Sequence, residues 1–248
     1  MNERKIELLL SLGYSIIPLI NKTPLPKGWQ KGTPLTFDEV KSYKGNNYGL
    51  VCGHMGVEVI DVDLKVLQSL EDRKTKWNEI TSLINDNLED ADKKLVIVKT
   101  KNNGYHIIYR ANNIEGNQHL AMVKKDKALI ETRGIGGQVV MYDELIQGDY
   151  TTIQYITDRE RDIIIQCCRL FNIFENEVEY KPRKTNNLIT GLTAWDDYNA
   201  KIDIWTIIQS DFKIVRQLSD RVILKRIGSE NAQCGSILTT RNLLYLFT

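Results

Sequence analysis

The sequence predicts a mixed α+β chain: a mostly antiparallel sheet with flanking helices, followed by a small second α+β module. Three observations predict it. Apolar runs of strand length come in pairs joined by glycine-containing turns. Stretches with apolar residues at helical spacing stand before, between and after those pairs. A polar, charged run, ENEVEYKPRKTNN at 175–187, then separates a large first part from a short second one.

Residues 2–12 carry Ile6, Leu9 and Leu10 at helical spacing, and Gly13 stops that helix. Residues 14–20 read as a strand. The stretch 21–47 is rich in Lys, Gly, Pro and Asn, anchored by Trp29 and Phe37, with one short helix from Thr36. An irregular stretch of this length in a compact domain is often functional. The apolar runs 48–52 and 57–62, separated by Gly53-His54-Met55-Gly56, read as a β-hairpin. Helical periodicity runs through 66–88 on Leu67, Leu70, Trp77, Ile80, Leu83 and Ile84. A second hairpin joins 95–100 to 105–110 across Asn102-Asn103-Gly104. A third joins 128–132 to 138–142 across Gly134, Gly136 and Gly137, and 158–173 reads as helix. This divides the chain into a domain at 1–174, a linker at 175–190 and a small module at 191–248. The module shows a helix at 195–209, a hairpin near 213–226 and a last strand at 243–247. That strand is barely finished at Thr248, which suggests truncation or a boundary before another domain.

Composition narrows the class. Of 248 residues, 42% are hydrophobic and 26% charged, enough apolar surface for a true core. No apolar run is long enough to span a bilayer. The start, MNERKIELLL, lacks the longer apolar region and cleavage site of a signal peptide, so a cytoplasmic protein is expected. Cys52, Cys167, Cys168 and Cys234 form no CxxC pair, which argues against a zinc ribbon and for idle thiols in a reducing compartment. Net charge is +1, so any nucleic-acid contact must be a local basic groove.

Three strand segments carry chemistry. In Ile60-Asp61-Val62-Asp63, alternation along a strand puts Asp61 and Asp63 on one face. Two such close carboxylates repel, and hard oxygen ligands of this kind suit Mg²⁺ or Mn²⁺. The plain alternative is a solvated strand end. In 105–110, His106, Ile108 and Arg110 share a face beside a glycine turn, where Gly104 would admit a ligand close to the backbone. The alternative is a structural histidine. In Leu129-Ile130-Glu131-Thr132-Arg133-Gly134, Glu131 and Arg133 share a face, as a third metal ligand and a phosphate partner or as a cross-strand salt bridge. The order acidic pair, histidine, acidic residue points to one site on one sheet face.

Residues 14–142 resemble the primase-polymerase domain of the archaeo-eukaryotic primase superfamily, in its phage and mobile-element form. The resemblance rests on GYSIIPL, KTPLPKGW, YGLVCGHMGVEVIDVD, VKTKNNGYHIIYR and IETRGIGGQVV. It implies an RRM-like palm sheet, with Asp61, Asp63 and Glu131 binding two Mg²⁺ or Mn²⁺ ions and His106 contacting the triphosphate of an NTP or dNTP. Two departures stand out: the family's third acid is usually Asp, and a serine usually precedes the histidine where this chain has Asn102, Asn103 and Gly104. Lys99, Lys101, Arg110 and Arg133 are further phosphate candidates, and Lys22, Lys27 and Trp29 could line a groove for single-stranded DNA template.

The tail, with AWDDYN, FKIV, LKRIGS and LLYLF, resembles the small module that precedes a helicase in such proteins, which implies a replicative helicase partner. No Gly-x-x-x-x-Gly-Lys-Ser/Thr is present, so these residues contain no P-loop ATPase. The expected activity is primer synthesis and extension by two-metal nucleotidyl transfer. The competing readings are a metal-dependent nuclease, a non-catalytic single-strand-binding initiation module, and a plain structural domain with solvated acids.

Overall fold

A computed structural model describes residues 2–31, 33–174, 201–230, 233–240 and 242–246. The chain divides into two compact units, 1–172 and 173–248. The first opens with α1 (Glu3–Ser11), capped by the Asn2 side chain and burying Ile6 and Leu9. Gly13, at φ 91°, ends it in a conformation that costs other residues more. β1 (Ile16–Ile20) and the short β2 (Thr23–Pro24) follow. Thr36 and Glu39 then form a capping box on α2 (Phe37–Ser42), the short helix expected from Thr36.

β3 (Asn47–Val51) and β4 (Val57–Val62) lie where the sequence places strands, but they do not form a hairpin. β3 pairs with β1 and with β9 (Gln138–Val140), all antiparallel, in a four-stranded sheet ordered β2-β1-β3-β9. β4 belongs to a second sheet. The cause lies in residues 53–56, where Gly53, Met55 and Gly56 all have positive φ (87°, 51° and 72°). That sequence of left-handed residues swings the chain out of one sheet and into the other rather than reversing it beside itself.

After β4 come α3 (Leu70–Asn87), capped by Ser69, the short α4 (Ala91–Lys94), β5 (Val96–Lys99) and β6 (Tyr105–Arg110). β5 and β6 do form the expected hairpin. β7 (His119–Lys124), which the apolar pattern did not reveal, pairs with β8 (Lys127–Arg133). The third expected hairpin is also overturned: β8 pairs with β4 and β7, whereas β9 joins the smaller sheet. β10 (Leu145–Gln147) completes a six-stranded antiparallel sheet ordered β10-β5-β6-β4-β8-β7, and α5 (Asp158–Arg169) closes the unit.

The two sheets share one core. Val57, Val59, Val96, Val98 and Ile108 of the larger sheet cluster with Ile16, Leu50, Cys52, Val139 and Met141, together with Ile6 and Leu9 of α1. The outward residues of β4 and β6 meet the helices instead. There Glu58, fully buried, accepts two hydrogen bonds from Arg161 of α5 (2.6 and 2.9 Å) and one from the Tyr109 hydroxyl (2.7 Å). The second unit carries α6 (Ile204–Ile208) and an antiparallel sheet of β11 (Phe212–Gln217), β12 (Arg221–Arg226), β13 (Gly235–Leu238) and β14 (Leu243–Leu246), in that order. The expected linker at 175–190 and the first part of the expected 195–209 helix lie outside the described residues. Among the described residues, no helix is long and apolar enough to cross a membrane.

Candidate active site

Register brings the acids and the histidine together. Asp61 of β4 stands directly opposite His106 of β6 on one side and Glu131 of β8 on the other. His119 of β7 stands opposite Glu131, and Val98 opposite His106. Side chains directly opposite in antiparallel strands point to the same face, roughly 4.5–5.5 Å apart at Cβ. The row His106–Asp61–Glu131 therefore crosses the three central strands on the face that meets the smaller sheet.

That face is filled with apolar side chains further down β4 and β6, but opens into a cleft at this row. Lys22, Gln138, Val139, Val140 and Tyr142 line it opposite Asp61, His106 and Arg133, around a volume of about 160 Å³. His106 Nε2 lies 3.7 Å from an Asp61 oxygen. Arg133 reaches both acids, 3.5 Å from Asp61 and in closer contact with Glu131. His119 approaches Glu131 at 3.5 Å. Asp63 lies just past the paired part of β4, its N–H donating to the Leu129 carbonyl at 2.8 Å, and its carboxylate holds Lys65 at 2.6 Å.

The electrostatics follow from this crowding. Burial raises the Glu131 carboxyl above its ordinary range; Arg133 and His119 oppose the rise, and Asp61 and Asp63 add to it. His106 is almost wholly buried, and burial lowers its pKa, with Asp61 only partly offsetting that. The ring is therefore neutral at neutral pH, and its buried Nδ1 has no partner. Burial, then the Asp61 charge, raises the Tyr142 hydroxyl. Lys65 is held protonated above all by its hydrogen bond to Asp63.

A set of donors made only of carboxylates suits a hard divalent cation, and its mutual repulsion is what such a cation relieves. Arg133 and Lys65 meet that need as the structure stands. Among the described residues, no three His, Cys, Asp or Glu side chains are gathered closely enough to enclose an ion. An ion bound by Asp61, Asp63 and Glu131 would compete with Arg133 and Lys65 for the same oxygens.

The other predicted residues scatter. Lys22 lines the cleft. Lys99 lies on the opposite face of β5 from Val98 and binds Glu144 at 2.8 Å. Lys101 is exposed in the β5–β6 turn. Arg110 shares the face of His106 but lies four residues along, roughly 13 Å at strand spacing. It donates to the Met55 carbonyl at 3.0 Å and sits over the Tyr155 ring. Lys27 is exposed, and Trp29 packs against Ile17, Leu19, Val51 and Val140 as a core anchor. At Gly104 a Cβ would lie 2.4 Å from the Val62 carbonyl, so β4 itself makes a close approach there. Sequence reasoning missed Lys65, Gln138, Tyr142 and His119. Lys65 carried a readable signal, the continued alternation Asp61-x-Asp63-x-Lys65. The others depend on which strands pair.

The architecture defines an antiparallel α+β domain with a row of acids and a histidine in an inter-sheet cleft. The family model for the bifunctional DNA primase/polymerase N-terminal domain matches residues 6–162, and the chain belongs to that family. The matched span covers both sheets of the first unit and the first turn of α5. Comparison with curated proteins gives no match.

Proposed function

We propose that this chain makes and extends primers on single-stranded DNA, with Asp61, Asp63 and Glu131 holding two Mg²⁺ or Mn²⁺ ions. The observation that carries the reading is the register row His106–Asp61–Glu131, inside the family span and facing a cleft with Lys22 and Arg133 on its walls. The bound ions would supply Lewis-acid activation of the attacking oxygen and charge neutralisation at the leaving one.

In the reaction, a 3′-hydroxyl gives up its proton to solvent as its oxygen bonds to the α-phosphorus, the α–β bridging bond breaks, and pyrophosphate leaves with the negative charge. Lys22 and Arg133 offset that charge. Neutral His106 offers a ring N–H to a phosphate oxygen rather than acting as a cation. The narrow cleft holds the nucleotide in line with the acids, so that much of the rate derives from positioning.

The test is primer synthesis on a single-stranded template, with ribo- and deoxynucleotides supplied separately and Mg²⁺ or Mn²⁺ added. Changing Asp61 and Asp63 together to Ala is expected to lower product by at least about 10³-fold, the scale of losing a major electrostatic element. Wild-type-level product from that variant would overturn the reading. Degradation of the labelled strand without added nucleotides would favour a nuclease instead.

A further inference from the structure

Register places several chain reversals at one end of the six-stranded sheet. β4 stops at Val62 opposite Tyr105 and Ile130, so the β5–β6 turn, residues 63–66 and the β7–β8 turn all lie at that end. The first carries Lys101 and the second Lys65. The third is Lys124-Lys125-Asp126-Lys127, with Lys124 directly opposite Lys127.

That last pairing is unexpected on folding grounds. Like charges directly opposite in an antiparallel pair are destabilising. All three lysines of the β7–β8 turn are exposed, and none makes an ion pair among the described residues. Lys127 lies on β8 with Glu131, four residues and at most roughly 13 Å further along the strand. A concentration of positive charge at that distance from the acid row, at the end of the same strand, matches a polyanion leaving the cleft.

We propose that the lysines of the β7–β8 turn, with Lys101 across the end of the sheet, grip the backbone of the single-stranded template beside the active site. This rests on the primase-polymerase reading for the template's identity. It moves the expected DNA contact from the early loop, where Trp29 is a core anchor, to the end of the larger sheet. Phosphates seated between Lys124 and Lys127 offset the repulsion built into the hairpin. Lysines on an edge strand also discourage sheet-to-sheet aggregation, and β7 is such a strand; that role predicts no effect on DNA affinity.

The experiment measures binding of a labelled oligothymidylate to the full chain by fluorescence anisotropy across a salt series, without metal or nucleotide. Changing Lys124 and Lys127 together to Gln is expected to weaken binding about tenfold at low salt. It should also flatten the log affinity against log salt slope by about 1.4, at about 0.7 per lost contact. The same variant should melt no lower than the parent, because the repulsion is removed, and Lys101→Gln provides a second variant outside the hairpin. Unchanged affinity and slope in both lysine variants, or a loss confined to duplex DNA, would overturn the proposal even if primer synthesis is demonstrated.

Discussion

Replacing Arg161 with Met isolates the charge pair that pins α5 to the strand carrying Asp61. Glu58 lies on β4 on the face opposite Asp61 and is fully buried. Arg161 donates two of the three hydrogen bonds it accepts, at 2.6 and 2.9 Å, and Tyr109 donates the third at 2.7 Å. Burial together with the Glu58 charge pushes the Tyr109 hydroxyl well up, so Tyr109 remains a neutral donor and cannot replace the lost cation. Removing one partner of a buried pair typically costs about 3–5 kcal/mol, because the remaining charge is left uncompensated. Methionine fills much of the vacated volume, so loss of packing is a minor part of that cost.

The double change Glu58→Leu with Arg161→Met removes both charges and leaves an apolar contact. Such replacements are often neutral or stabilising, so most of the single-variant loss should be recovered. Urea unfolding followed by hydrogen–deuterium exchange of peptides from β4 and α5 reads this unit separately from the second one. A loss below about 1 kcal/mol for Arg161→Met, or a double variant no more stable than the single one, would refute the reasoning.

Glu160 gives a pH prediction. Burial alone would raise its pKa, but hydrogen bonds from Lys94 and from the Thr157 backbone and hydroxyl together hold it below its ordinary 4.5. A depressed acid contributes stability that is fully present above its unfolded value and is lost as pH falls through the lower folded value. Glu160→Gln should therefore melt lower than the parent at pH 7, by about 0.5 kcal/mol, with the gap closing as pH falls below 4.5. Thermal melts across that range check it. Gly104→Ala forces a Cβ against the Val62 carbonyl beside Asp63, and a backbone atom cannot step aside cheaply. A loss of about 1–3 kcal/mol and reduced primer extension are expected, measured by urea unfolding and the primer assay.

The residues that gather at the cleft were more legible than the architecture around them. Asp61, His106, Glu131 and Arg133 could be singled out because period-2 alternation depends only on the strand's own sequence. Lys99 and Arg110 misled for the complementary reason. A basic residue near the site in sequence can face away from it, as Lys99 does, or sit at the far end of the same strand, as Arg110 does. β7 escaped notice because its apolar residues, Leu120, Ala121, Met122 and Val123, do not alternate, and its ladder with β8 contains register shifts. Gln138 and Tyr142 needed knowledge of which sheet their strand joins.

The two hairpins that failed explain why the cleft exists at all. A tight reversal at 53–56 would have laid β3 beside β4 in one sheet. Instead the chain crosses, so VCGHMGVEVIDVD carries a strand of the smaller sheet and the acid strand of the larger one, consecutive in sequence. IETRGIGGQVV does the same in the opposite direction, from Glu131 and Arg133 on β8 to Gln138 on β9. The two crossovers touch: a Cβ on Gly53 would lie 2.9 Å from the Ile135 backbone, and the Cys52 N–H donates to the Gly137 carbonyl at 2.9 Å. Each glycine-rich segment is therefore a bend shared by both walls of the cleft, and their mutual packing holds Lys22, Gln138 and Tyr142 across from the acids. Glycine clusters beside strands of this kind are ambiguous between a hairpin and a crossover. Here the positive φ values at 53, 55 and 56 and the close approach to Ile135 favour the crossover, and with it a site with two walls rather than an exposed sheet face.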